Sequence, residues 1–154
     1  MPKIENKWDS LYDPGKQTWF TKLEERAINW YFSRMFGKTI LSVSEIKSGK
    51  IFEPGCGSGM TCAQFAQDGF DITLMDLSPN ALKKALTTFE NFGQSCKFTI
   101  GDLFNLPFPD EEFDVVFNQG VMEHFKIAGI SPDTGIQEML RVVKKGGTLI
   151  ILVP

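Results

Sequence analysis

The run Glu53-Pro54-Gly55-Cys56-Gly57-Ser58-Gly59 decides how this chain is read. It follows the apolar pair Ile51-Phe52 and precedes residues 60–67, whose composition suits a helix. A glycine-rich turn between a strand and a helix is where open parallel sheets bind their ligands. Glycine at 55, 57 and 59 lets the backbone bend sharply and approach a ligand closely, while free amides at a helix start favour an anionic group, carboxylate as well as phosphate. The spacing also excludes. A dinucleotide fingerprint carries its third glycine at the sixth position of the motif, whereas here it stands at the fifth and Met60 takes the sixth. No Gly-Lys-Ser or Gly-Lys-Thr follows, which disfavours a triphosphate loop as well.

Outward from that loop the chain alternates between short β-rich runs and helical patterns. The strands are predicted at 51–53, 71–76, 97–100, 113–118 and 148–153, and Val115-Val116-Phe117 suits a strand covered on both faces. Helices are predicted at 60–67, with Gly69 as a left-handed cap, and from Ser78-Pro79 to Asn91, with Gly93 breaking the pattern. Ser131-Pro132-Asp133 repeats the cap-and-proline signal for a helix reaching Lys145, which Gly146-Gly147 ends. This rhythm predicts an α/β fold, a parallel sheet with helices on its faces. Before residue 50, Phe20, Leu23, Ala27, Ile28, Tyr31 and Met35 fall at helical spacing over 18–36, predicting an amphipathic cover helix that Gly37 stops. Residues 40–47 read either as a short helix or as a loop.

The 154 residues suit a single domain, 1–154, with a helical cover over 1–49 and the core over 50–154. Hydrophobic residues make up 42% and charged residues 23%, which argues against a disordered tail or a membrane bundle. No apolar run approaches the roughly 18 to 20 residues that cross a bilayer, and the polar opening lacks a secretory signal, so the expected location is cytoplasmic. The formal charge is -3, and Lys83-Lys84 and Lys144-Lys145 are isolated pairs, which disfavours nucleic acid as a partner. Cys56, Cys62 and Cys96 form no Cys-x-x-Cys pair and are read as reduced thiols, with neither disulfide nor metal site expected.

Two aspartates end strands beside the loop. Asp76 lies about twenty residues beyond Gly55, where a carboxylate accepts hydrogen bonds from both hydroxyls of a ribose. The competing reading is an aspartate that caps the helix after Ser78. Asp102, after Gly101, is placed to accept from an adenine amino group with Leu103 against the base; its competing reading is a loop-capping aspartate.

The ordered set Glu53-x-Gly55-x-Gly57-x-Gly59, Asp76, Gly101-Asp102, Leu106-Pro107-Phe108 with Phe113-Asp114-Val115-Val116, and Lys145-Gly146-Gly147 resembles the class I S-adenosylmethionine-dependent methyltransferases of small-molecule type. The resemblance covers 50–154. It implies a Rossmann-like three-layer αβα sandwich with strand order 3-2-1-4-5 and a site for S-adenosylmethionine or its product S-adenosylhomocysteine. It also implies that Glu53, Gly55, Cys56, Gly57 and Gly59 hold the methionine part, that Asp76 binds the ribose and Leu77 packs on adenine, and that Asp102 and Leu103 recognise the base. Asn118 and Gln119 then pass the methionine part and lead to the pocket of a small-molecule methyl acceptor. Trp8-Asp9-Ser10-Leu11-Tyr12 resembles the aromatic lid of such enzymes, and packing of Trp8, Trp19 and Trp30 on the sheet is the equal alternative.

His124, the single histidine, follows Glu123 near that pocket and is the candidate general base, against a purely structural histidine. Related metal sites use Glu-x-x-Glu-His; here the first position is Gly120 and no second histidine exists, so no metal is expected. Asp114 is read as a structural residue at a strand start as readily as a functional one. Members of the family add a sixth and a seventh strand, so the expectation is either a core cut short at its C-terminus or an edge of strand five covered by another copy in a homo-oligomer. Three functions follow in order of fit: a methyltransferase, a module that binds the cofactor without turnover, and an NAD-dependent oxidoreductase.

Overall fold

The computed structural model describes residues 19–127 and 129–153. Helix α1 (Trp19–Ser44) leads into β1 (Lys50–Pro54), α2 (Met60–Gln67), β2 (Asp71–Asp76), α3 (Pro79–Asn91) and β3 (Lys97–Ile100). Then come β4 (Phe113–Gln119), the short α4 (Met122–Ile127), α5 (Asp133–Val142) and β5 (Val143–Leu152). The five strands form one sheet in the order β3-β2-β1-β4-β5, and every pairing is parallel. This is the αβα arrangement that the alternation and the resemblance imply. Residues 8–12 lie outside the described residues.

Strand alternation divides the apolar side chains between two faces. Ile51, Ile72, Leu74, Val115 and Phe117 point toward the layer of α1, α2 and α3, where Ile40, Phe65, Ala85 and Phe89 are buried. Phe52, Met75 and Val116 point the other way, toward Leu103, Leu106, Met122, Met139 and Val142. Phe113 breaks parity with Val115 and joins this second cluster, because the β4 to β5 register shifts between those two residues. Its ring stacks on Phe52 at 4.8 Å and meets Phe108 edge-on at 5.2 Å.

Two expectations are corrected at the helix ends. Gly37 does not stop α1, which runs through it to Ser44. The buried positions of the described face are Ser33, Gly37 and Ile40, whereas Tyr31 and Met35 are exposed. A side chain at 37 would place its Cβ 3.2 Å from Cε1 of Phe65, so the glycine serves the close approach of α1 to α2. The second correction lies at the other end of the chain. The helix expected to reach Lys145 ends at Val142, and β5 begins at Val143, which pairs with Phe113.

Asp114 explains why residues 143–147 are drawn into the strand. Its carboxylate accepts from the Lys50 amide at 2.8 Å and from Lys144 Nζ at 2.7 Å, tying the entrances of β1, β4 and β5 together. Burial pushes this carboxyl up, but hydrogen bonds from Lys144 and the Lys50 amide, with the charges of both lysines, hold it below the usual range. Gly147 packs with its Cα against Asp114 O, where a Cβ would lie at 2.7 Å. Asp114 is therefore structural, at the end of the sheet opposite the glycine loop. Among the described residues no helix is long and apolar enough to cross a membrane.

The capping reading at 78 and 79 is realised in full: Ser78 Oγ accepts from the Ala81 amide at 3.1 Å and Pro79 opens the first turn. Ser78→Ala is expected to lower the unfolding free energy by about 1 kcal/mol. In a thermal melt this is a fall of roughly 2–4 °C in Tm for a chain of this size.

Candidate functional site

The loop after β1 is held by the neighbouring strand. The amides of Gly55 and Cys56 both donate to Met75 O, at 2.7 and 3.1 Å, and the Gly57 amide donates to Asp76 Oδ2 at 2.9 Å. The Gly59 amide donates to Cys56 O. Gly55, Gly57 and Gly59 all have positive φ, and a Cβ on Gly59 would lie 2.9 Å from Leu74 Cδ1. The expectation of free amides awaiting an anion is thus corrected at these four positions. Their hydrogen atoms are already committed to the fold.

What the site offers is acceptors. Glu53 is 5% exposed, and its Oε2 has no hydrogen-bond partner among the described residues. Burial, opposed by a hydrogen bond from the Cys62 thiol and reinforced by the Asp76 charge, pushes its carboxyl up to about 8. Asn118, wholly buried at the end of β4, donates Nδ2 to Pro54 O at 2.7 Å and leaves Oδ1 without a partner among the described residues. Buried polar atoms are almost always paired, so two orphaned oxygens flanking one loop indicate a place for a donor-rich or cationic group.

Asp76 stands at the rim of the same loop. Besides Gly57, its carboxylate accepts from the Ser78 amide at 2.9 Å. Burial pushes this carboxyl above its ordinary value against the hydrogen bonds from the amides of Ser78, Gly57 and Leu77. Leu77 is half-buried. The Gly101 amide donates to Asp76 O, which places Asp102 beside Asp76 at the next strand end. Asp102 Oδ1 accepts from the Phe104 amide at 3.0 Å, the loop-capping bond, and its side chain is half-buried. Leu103 is 7% exposed, with its Cγ 3.1 Å from where a Cβ on Gly135 of α5 would stand.

Arg141 of α5 braces this segment. It donates to Leu106 O and Phe108 O and pairs with both oxygens of Glu138, which in turn accepts from the Leu106 amide at 2.8 Å. Sequence reading gave no role to Arg141 or Glu138. The signal is faint, an arginine three residues after a glutamate on a helix face.

The stretch after β4 closes the other side. Val121 covers Gly55 so tightly that a Cβ there would come within 2.6 Å of Val121 Cγ2. Glu123 Oε1 lies 3.6 Å from the position of a Cβ on Gly120, and its Oε2 is shielded and has no hydrogen-bond partner among the described residues. His124 Nε2 stands 3.8 Å from Glu123 Oε1, beyond hydrogen-bond reach. Gln119, at the end of β4, is half-buried.

Residues 52–151 match the family model described as a methyltransferase domain. The chain belongs to this methyltransferase family. Its structural neighbours in the family share the Rossmann-like fold and use S-adenosylmethionine. The chain is 28% identical over 147 residues to norajmaline N-methyltransferase of Rauvolfia serpentina, covering 94% of this chain and 49% of that protein. It is 36% identical over 104 residues to 2-methyl-6-phytyl-1,4-hydroquinone methyltransferase of Synechocystis, covering 66% of this chain and 30% of that protein. The chain therefore spans half or less of the length of these relatives. Among solved structures, the [4+2]-cyclase SpnF superposes with a TM-score of 0.66 at 29% identity, over 77% of this chain and 44% of its own. A Methanococcus maripaludis protein assigned to the S-adenosyl-L-methionine-dependent methyltransferases gives 0.72 at 20% identity, over 85% and 60%, a likeness of fold.

The raised Glu53 carboxyl has a consequence for stability. Its native value of about 8 exceeds the ordinary 4.5, so between the two the folded chain holds a proton that the unfolded chain has lost. Stability from this group is fully present below about 4.5, falls as the pH rises toward 8 and is level above it. Denaturant titrations across that interval should show wild type losing up to about 1.4 kcal/mol per pH unit relative to Glu53→Gln. Parallel pH profiles for the two proteins would remove Glu53 from this role.

Proposed function

We propose that this chain binds S-adenosylmethionine at the carboxyl ends of β1, β2, β3 and β4 and transfers its methyl group to a small-molecule acceptor. The carrying observation is the pair of acceptors without a partner among the described residues, Glu53 Oε2 and Asn118 Oδ1, beside a loop that commits the amides of Gly55, Cys56, Gly57 and Gly59 to the fold. That donor-poor, acceptor-rich setting suits the α-ammonium of a methionine moiety better than a phosphate. Asp76, at the rim, is the residue for the ribose hydroxyls, with Leu77 beside the adenine and Asp102 and Leu103 at its far edge. Gly55, Cys56, Gly57 and Gly59 supply the close backbone wall, and Asn118 with Gln119 leads toward the acceptor.

When bound, the cofactor supplies an electrophilic methyl carbon on a sulfonium. The chain's residues then have to align the acceptor and keep water away, and positioning alone accounts for much of the rate in such reactions. His124 is the candidate base for an acceptor that must lose a proton. The relatives named for norajmaline and for a hydroquinone support a small-molecule acceptor. The likeness to a [4+2]-cyclase supports a second reading, in which the chain holds the cofactor and does not transfer methyl.

Calorimetric titration with S-adenosylhomocysteine is expected to give one site on wild type. Asp76→Ala should weaken it by about 10- to 100-fold, the worth of hydrogen bonds to a charged group. Transfer of labelled methyl to any small acceptor separates the enzyme from the second reading. Absence of binding heat on wild type would defeat both.

A further inference from the structure

The helix layer on one face of the sheet holds a cavity of about 170 Å³ that the cofactor reading does not use. α1 forms one wall; the second half of α2 and Phe92, the residue that ends α3, form the other. Phe65, 2% exposed, and the half-buried Leu41 and Phe92 give the cavity an apolar floor that is continuous with the core of this layer. A cavity of about 150 Å³ takes up one benzene ring, so the space here suits a single ring.

This cavity lies away from the carboxyl ends of the strands. α2 starts beside the glycine loop at Met60 and reaches the cavity from Gln64 onward. α3 starts at Pro79, after Asp76, and its 13 residues carry the chain roughly 20 Å along its axis before Phe92.

The polar groups of the lining are mainly donors. Gln64 Nε2 is shielded from solvent and has no hydrogen-bond partner among the described residues. Arg34 and Lys38, one turn apart on α1 and exposed, line the mouth, and neither meets a carboxylate within ion-pair distance among the described residues. The Arg34 guanidinium lies over the Trp30 ring, 5.6 Å from its centroid, and so stays beside the cavity. Against these two cations the lining has one acid, the exposed Asp68.

A shielded donor without an acceptor costs free energy, and that cost falls when an acceptor enters. A neutral acceptor would satisfy Gln64 Nε2 and gain nothing from Arg34 and Lys38, whereas an ammonium would be repelled by both. An anion meets all three groups.

We propose that this cavity is a second binding site, for a small aromatic carboxylate whose ring lies on the apolar floor and whose carboxylate accepts from Gln64 Nε2 beside Arg34 and Lys38. The proposal does not depend on the cofactor reading, and the two fail separately.

The probes are phenylacetate, its neutral isostere phenylacetamide and the cationic phenethylamine, each titrated into the isotope-labelled chain while amide shifts are followed by nuclear magnetic resonance. Phenylacetate should shift the side-chain amide of Gln64, assigned by its loss in Gln64→Leu, and should saturate. Phenylacetamide should bind about tenfold more weakly, and phenethylamine more weakly still. Gln64→Leu should weaken phenylacetate by about 10- to 100-fold, and Lys38→Gln by about two- to fivefold. Both variants should hold S-adenosylhomocysteine within about twofold of wild type, and saturating S-adenosylhomocysteine should leave the phenylacetate affinity unchanged. If Gln64→Leu melts early, Lys38→Gln on the surface decides alone. No saturable shift at Gln64 up to the solubility limit, phenethylamine bound as tightly as phenylacetate, or unchanged phenylacetate affinity in the folded variants would overturn the proposal. Competition between phenylacetate and S-adenosylhomocysteine would overturn it too, by placing the acid in the other site, whereas failure of S-adenosylhomocysteine to bind wild type would remove the cofactor reading alone.

Discussion

The Met75 carbonyl, accepting from two consecutive amides of the loop after β1, is the contact on which the site depends. It is the last main-chain acceptor of β2 before Asp76, and it turns the chain out of β1 toward its neighbour. That turn brings the Gly57 amide to the Asp76 carboxylate and leaves Glu53 beneath the bend, cut off from water. The amides of Gly55, Cys56, Gly57 and Gly59 are thereby committed to the fold. The glycines serve geometry, positive φ and close packing, and the recognition chemistry passes to side-chain oxygens at the strand ends.

This inversion changes which ligand the same motif suits. A glycine turn with unspent amides at a helix start attracts phosphate. Here four of the loop's amides are spent, and the atoms beside the loop without a partner among the described residues are carboxyl and carboxamide oxygens, a setting that suits a cation or a donor. The cost of holding Glu53 in that place is visible in its raised carboxyl, which takes a hydrogen bond from the Cys62 thiol. A ligand that brings a positive charge to Oε2 lowers that cost, which couples binding to the charge state of Glu53.

Most of the fold was legible because its signals are local. Strands 71–76 and 97–100 and helices 60–67 and 79–91 follow from apolar alternation, a serine cap and a first-turn proline, and the structure places each within those limits. The errors came where a residue answers to a distant partner. Gly37 reads as a stop, yet the Phe65 ring packed against it makes it a helix-packing glycine. Lys144 and Lys145 read as the basic last turn of a helix, yet Asp114, thirty residues earlier, captures Lys144 and draws the segment into β5. The candidate site is readable in the sequence as a list of positions, and the structure gathers Glu53, Asp76, Asp102 and Asn118 at one end of the sheet. That four of the loop's amides are committed and that Arg141 ties the segment after Asp102 to α5 are pairings in space, which spacing alone does not encode.

The two ends of the sheet divide the labour. At the entrances of the strands, acidic groups are matched: Asp114 with Lys50 and Lys144, Glu112 with Lys50, Asp71 with Lys97. At the exits, Glu53 and Glu123 each carry an oxygen without a hydrogen-bond partner among the described residues. Both ends are built from the same strands and share the same core, so the difference is not one of composition or burial in general. A fold whose charges were arranged for stability alone would pair both ends, because an unmatched shielded carboxylate lowers stability wherever it stands. The shared architecture with a [4+2]-cyclase shows that the scaffold by itself does not fix a reaction. On the function proposed above, this asymmetry between the ends is what suits the scaffold to a ligand that arrives with donors and positive charge, through residues contributed by β1 and β4 together.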